Sequence, residues 1–224
     1  MFFQNLQGGA EFGKRFLYHL VFALTNYNFN YFIRMDDDYM LCIDRLINEI
    51  PMPPRKFYHW GYVHCQQDIV RPEESIILFS RDLIELFLGQ NPRDMLCHKF
   101  ADQMIALWRK LVPVKKLYRH DLRLHHDPPA SHIKELFNED NLCSKFIGLH
   151  GTYEEQMRKF WRQRGPSDYP KNATLDDFSS HCKAAENFDW RNFDKLWKAR
   201  PQLCINRPKW DGVKGETYIG RQGG

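Results

Sequence analysis

The chain has no apolar run of the ~18 to 20 residues needed to cross a bilayer; its longest, Phe16 to Leu24, is interrupted by His19. Its opening residues, Met1-Phe2-Phe3-Gln4-Asn5, lack the basic flank, extended apolar stretch and small-residue cleavage site of a signal peptide. The six cysteines include no Cys-x-x-Cys and no zinc-type pairing, which argues against a structural zinc site. There is no internal repeat and no low-complexity tract. Strong charge bias is missing too: 32 Lys and Arg against 28 Asp and Glu give a formal +4, too little to point to a nucleic-acid partner. What is present is 224 residues with 43% hydrophobic and 15% aromatic content, enough for one buried core with an appendage, and this composition excludes disorder, collagen and coiled coil.

Short apolar runs alternate with amphipathic segments, the pattern of an α/β or α+β domain. Helices are predicted over 12–26, 43–50, 81–88, 102–111 and 154–164, and strands over 31–35, 57–63, 76–79, 117–124 and 145–149. Pro51-Met52-Pro53-Pro54 stops the second helix, and Gly89 closes the third. On the helix over 154–164, Met157, Phe160 and Trp161 lie toward one side, and Met157 and Trp161 are expected to face the core. A composition change at Gly165-Pro166-Ser167 divides the chain into a body, 1–165, and an aromatic, turn-rich extension, 166–224. Cys182 and Cys204 could staple that extension. An even cysteine count and the sequon Asn172-Ala173-Thr174 point toward the secretory lumen.

Chemistry concentrates in Asp36-Asp37-Asp38, which follows the strand at 31–35. In an open α/β sheet the C-terminal end of a strand is where ligands bind. Three adjacent carboxylates repel one another unless a cation joins them, and a turn can aim Asp36 and Asp38 at one site. Oxygen ligands of this kind suit Mg²⁺ or Mn²⁺ holding a diphosphate. A solvated acidic turn is the plain alternative. Further along, Arg109, Lys110, Lys115, Lys116, Arg119 and Arg123 form a basic stretch, read as a solvated face.

Phe32-Ile33-Arg34-Met35-Asp36-Asp37-Asp38-Tyr39-Met40 resembles the signature of the clan containing β1,3-galactosyltransferases, β1,3-N-acetylglucosaminyltransferases and fringe. Two further blocks follow in that clan's order: His98-Lys99-Phe100-Ala101-Asp102-Gln103, and Asn141-Leu142-Cys143 through His150 to Trp161. The resemblance covers about residues 5 to 164 and implies a GT-A-like nucleotide-sugar-binding mixed sheet flanked by helices. It also implies an inverting hexosyltransferase that uses a UDP-sugar, Mn²⁺ or Mg²⁺, and a glycan acceptor. By matching positions, Asp36, Asp38 and His150 would hold the metal, Arg34, Asp36 and Asp37 would serve the nucleotide, and Asp102 would be the catalytic base. Members of the clan carry a membrane anchor, a stem and the first strands of the sheet ahead of the point matching Met1. The chain is therefore expected to be an N-terminally truncated form of a type II membrane protein of the Golgi lumen.

The sequence departs from the clan where Ala101 replaces an acid, Gln103 replaces an apolar residue, and Arg71-Pro72-Glu73-Glu74-Ser75 stands in for a longer, glycine-bearing stretch. These departures suit a second reading, a catalytically degenerate module of the same fold that binds a glycan or a nucleotide sugar.

Overall fold

The strand-forming run Ile76-Ile77-Leu78-Phe79-Ser80 has no polar side to show to water until its last residue, and the fold buries both of its faces. A computed structural model describes residues 12–66, 69–112, 117–125, 141–152, 154–165 and 200–210. It shows a mixed α/β protein with several small mixed sheets and six helices among those residues. In chain order the helices are α1 (Phe12–Asn26), α2 (Ile43–Glu49), α3 (Arg81–Leu88), α4 (Ala101–Leu111), α5 (Leu142–Lys145) and α6 (Glu154–Arg162). The strands are β1 (Tyr31–Met35), β2 (Met40–Leu41), β3 (Tyr58–Gly61), β4 (Val63–Gln66), β5 (Ile69–Pro72), β6 (Ile76–Ser80), β7 (Leu96–Cys97), β8 (Leu117–His120), β9 (Leu124–His125), β10 (Gly148–Leu149) and β11 (Gln202–Leu203).

The largest sheet runs β1-β6-β3-β8, antiparallel except for the parallel pair β3 and β8. Ile77 and Phe79 pack on one face with Phe16 and Leu20 of α1, Leu83 and Phe87 of α3, and Met104 and Trp108 of α4. Ile76 and Leu78 pack on the other with Tyr58, Trp60 and Leu46 of α2. A second sheet, β2-β10-β9, brings the residues after the acidic triplet against those before His150: Leu149 pairs with Met40 and Gly148 with Leu41. The hairpin of β4 and β5 stands apart from both sheets and packs on α4.

Several elements differ from the sequence expectation. The strand over 31–35 was expected to be buried, but β1 is an edge of its sheet and leaves Ile33 37% and Met35 46% exposed. The run 57–63 divides at Tyr62, whose carbonyl accepts the Glu73 amide and so starts a hairpin instead of prolonging the sheet. The run 117–124 breaks at Asp121, whose carboxylate accepts the Arg123 amide and whose carbonyl accepts that of Leu124. Of 145–149 only Gly148-Leu149 is strand, because Leu142–Lys145 is a helical turn. On α6 the core residue is Phe160, while Trp161 is 50% exposed and Met157 is partly buried.

The basic stretch is not a solvated face. Arg109 is buried under α4, beside His59 Nδ1 and over the Tyr118 ring at 4.1 Å. Arg119 is buried as well, over the Trp60 ring at 4.0 Å, and Arg123 is half-buried. The Lys110 side chain, Lys115, Lys116, residues 166–199 and the Asn172 sequon lie outside the described residues. Cys204 does not pair with Cys182: the described disulfides are Cys42–Cys143 and Cys97–Cys204. With the pairing of β11 and β7, the second bond fastens residues 200–210 of the extension to the α/β body.

Burial of Arg119 is possible because Glu49, at the end of α2, receives it. Its carboxylate accepts from Arg45 at 2.9 Å, Arg119 at 2.9 Å and Arg123 at 2.9 and 2.7 Å. Asp121 backs the cluster, taking Arg123 and the Trp60 indole N–H. Burial alone would raise the Glu49 carboxyl, but hydrogen bonds from Arg123, Arg45 and Arg119 outweigh it and hold the group below its ordinary value. Substituting Glu49→Gln leaves three guanidinium groups with one carboxylate fewer in a dry site. The expected loss is about 3 kcal/mol in urea unfolding at neutral pH, and an unchanged midpoint would exclude a structural role for this cluster.

Candidate metal and nucleotide site

The acidic triplet sits in a turn that three separate segments hold. The Asp36 amide donates to the Ser75 carbonyl at 2.9 Å, and the Tyr39 amide closes the turn on the Asp36 carbonyl at 3.2 Å. From the far side of the molecule, Thr152 donates both its amide and its hydroxyl to the Asp38 carbonyl, at 2.8 and 2.9 Å. His150 is positioned by β10. Gly148 in that strand lies flat against the Tyr39 ring, where a Cβ would come within 2.2 Å of a ring carbon, and Tyr39 in turn stacks on the His150 imidazole at 6.2 Å between centroids. Only glycine lets β10 come this close.

The result is a group of three. One ligand atom each from Asp36, Asp38 and His150 lies within 4.8 Å of the others, with His150 Nε2 3.6 Å from Asp38 Oδ1. All three side chains are partly exposed, so a ligand can reach them. Two carboxylate oxygens and one imidazole nitrogen form a donor set that fits Mn²⁺, and less closely Mg²⁺. Asp37 points outward and does not join them. Arg34 pairs with Asp36 Oδ1 at 2.5 Å and donates to the Glu74 carbonyl, which orients the Asp36 carboxylate.

Asp102 is elsewhere, in the first turn of α4, and it is buried. Its carboxylate is bonded to Arg71 of β5, and the backbone amide of Gln103 also donates toward it. Three residues between β5 and β6 link it to the triplet. Glu73 bonds His64 and caps the Ser75 amide, while Glu74 accepts the Ala101 amide at the start of α4. Sequence reasoning passed over Arg71, Glu73, Glu74 and His64, because 71–75 reads locally as a short polar turn. The only available signal was two adjacent acids leading into a wholly apolar strand.

Five carboxylates (Asp36, Asp38, Glu73, Glu74 and Asp102) are thus gathered around Arg34 and Arg71. Burial raises the Asp36 carboxyl, with Arg34 and His150 opposing and Asp38 and Glu73 adding to the rise. Asp102 is raised mainly by burial, against the pull of Arg71. Glu74 is pushed up to about 8 by burial and then by the Asp102 charge. This excess of negative charge at the mouth of the turn is the environment a divalent cation relieves. The best-defined cleft, about 170 Å³ and lined by Met40, Ile43, Cys143 and Trp161 among others, is at the far end of β2 and lacks all five acids.

No protein-family model matches the chain, and no curated protein matches it significantly in sequence. The case for a function rests on the residues themselves.

The Glu74 shift has a consequence for stability. Its carboxyl ionises near its ordinary 4.5 in the unfolded chain and at about 8 when folded, so the native state holds a proton that the unfolded chain releases. Stability from this group is complete below about pH 4.5 and is lost as the pH rises toward 8. The Glu74→Gln variant is expected to match the parent near pH 4.5 and to exceed it by a growing margin up to pH 8, measured by urea unfolding across that range. A margin independent of pH would show that Glu74 ionises normally in the folded protein.

Proposed function

We propose that the chain is a divalent-cation-dependent glycosyltransferase domain with a GT-A-like sheet. In this reading it transfers a hexose (galactose, N-acetylglucosamine or N-acetylgalactosamine) from a UDP-sugar to a glycan acceptor, with inversion at the anomeric carbon. One observation carries the reading: His150, more than a hundred residues further along the chain, converges with Asp36 and Asp38 at the end of an edge strand as a group that could hold a cation. Mn²⁺ bound there would neutralise the charge that develops on the departing diphosphate. The protein's own residues do the positioning. Arg34 holds Asp36, Thr152 holds the Asp38 backbone, and Tyr39 fixes the plane of the His150 ring. Direct displacement needs no covalent intermediate, only a base for the acceptor hydroxyl, a role the family resemblance gives to Asp102.

Two disulfides among the described residues agree with folding in an oxidising compartment, and in this reading that compartment is the Golgi lumen. No helix among the described residues is long and apolar enough to cross a membrane. The clasp of Arg71 on Asp102, together with Ala101 and Gln103, favours a second reading: a module of the same kind that binds a nucleotide sugar or a glycan without turnover.

Thermal unfolding with UDP, with and without Mn²⁺, tests the site itself, because a ligand that binds only the folded state must stabilise it. At ligand one hundred times its Kd the expected gain is about 2.7 kcal/mol, a rise in Tm of ~5–10 °C for a domain of this size. The rise should require Mn²⁺ and disappear in Asp38→Asn. A rise without Mn²⁺, or one that survives the substitution, refutes the metal assignment.

A further inference from the structure

The hairpin of β4 and β5 places a second proton-handling group beside the acidic turn. In its register His64 lies opposite Arg71, and Glu73 follows directly after the end of β5. His64 Nε2 is 2.6 Å from Glu73 Oε2, and the Tyr62 ring packs edge-on between the imidazoles of His64 and His120 at 4.9 and 4.8 Å. Glu73 holds the pair in register with the metal group. Its other oxygen accepts the Ser75 amide, and the Ser75 carbonyl accepts the amide of Asp36. The pair is therefore linked to a proposed metal ligand through two hydrogen bonds, one from the Ser75 amide to the Glu73 carboxylate and one from the Asp36 amide to the Ser75 carbonyl.

Accessibility separates this pair from Asp102. The His64 and Glu73 side chains are 21% and 14% exposed, against 5% for Asp102. Asp102 is enclosed and already paired with Arg71, so an acceptor hydroxyl reaching it would have to compete with that guanidinium. A base must first be within reach of the proton it takes. We infer that the His64–Glu73 pair takes the proton of the acceptor hydroxyl, and that Asp102 serves as the counter-ion that holds Arg71, and with it the hairpin, against α4.

This inference rests on the transferase reading. The acceptor oxygen forms its bond to the anomeric carbon as the bond from that carbon to the diphosphate oxygen breaks, the electron pair leaving with UDP. The acceptor proton passes to the imidazole of His64, the Glu73 carboxylate offsets the imidazolium charge, and the proton is then released to water. A carboxylate orienting a histidine base is a recurring arrangement on unrelated folds.

The test is UDP release from UDP-galactose and UDP-N-acetylglucosamine with simple methyl glycosides as acceptors, alongside the Mn²⁺-dependent thermal shift with UDP. In His64→Ala we expect kcat to fall at least ~100-fold with KM for the donor and the UDP thermal shift unchanged, and added imidazole to restore at least a tenth of the lost rate. His64→Gln, which keeps a donor for Glu73 and so the hairpin, should show the same loss without rescue. A kcat within threefold of the parent in either variant, or a loss that imidazole does not relieve in His64→Ala, overturns the inference while the UDP–Mn²⁺ shift keeps the transferase reading standing. A parent chain with no Mn²⁺-dependent shift and no turnover overturns both.

Discussion

Glu49 is the residue on which the rest of the arrangement depends. It is a single buried carboxylate on which three arginines converge, Arg45 from its own helix and Arg119 and Arg123 from the segment of β8 and β9. Arg45, one of them, also donates to the carbonyl of Cys143 at 2.5 Å, so the cluster joins α2 directly to α5. The Cys42–Cys143 disulfide closes the same junction covalently, and the Cys42 amide bonds the Ile147 carbonyl at 2.8 Å. These links set β2 beside β10. Asp38 precedes β2 and His150 follows β10, so the ion cluster and the disulfide decide that the two side chains meet. Charges this deep are stable only as a connected set, because each guanidinium loses its hydration and must recover it from carboxylates, carbonyls or an aromatic face. Trp60 supplies such a face to Arg119 and an indole N–H to Asp121.

The acidic site has the opposite electrostatic character. Around Glu49 the cations outnumber the anions, and every carboxylate has its donors. Around Asp36 the anions outnumber the arginines. Burial raises Asp36, Glu74 and Asp102 alike, whereas hydrogen bonds lower Glu49 and Asp121. The contrast sets a fully paired ion cluster against an acidic one within one small protein. Uncompensated negative potential in a partly open turn is what a cation and a diphosphate complex would exploit.

Much of the secondary structure was legible from pattern alone. Periodicity located α1, α3 and α4 within a residue or two, because long helices with a continuous apolar face are specified locally. The failures fall where a hydrogen bond to a more distant or turn residue redirected the backbone: the Asp121 carboxylate ending a strand, and the Glu73 amide turning Tyr62 out of the sheet. The apolar run at 31–35 was read as buried because it carries the residues of a buried strand, but nothing local reveals which strand of a sheet is its edge. Of the α6 face expected from Met157, Phe160 and Trp161, Phe160 is buried and Met157 partly so, while Trp161 lies half exposed at its edge. Arginines in the basic stretch were placed in water because their charge is visible in the sequence and their partners, Glu49 and the Trp60 ring, are far away in it.

The sequence by itself determined the mixed α/β character, the chief helices and the acidic turn after the first strand, since these depend on neighbours within a few residues. It also named His150 and Asp102, though only through resemblance of whole blocks and not through any local property. Tertiary structure decided that His150 joins Asp36 and Asp38 while Asp37 does not, that Asp102 is locked to Arg71, and that Glu73, Glu74 and His64 belong to the same site. It also decided that Cys204 bonds Cys97. Each of these is a contact between residues distant in sequence, made possible by sheet pairing and by the packing of the hairpin on α4. Burial, the quantity that turns a carboxylate into a base, a ligand or a counter-ion, exists only once that packing is complete.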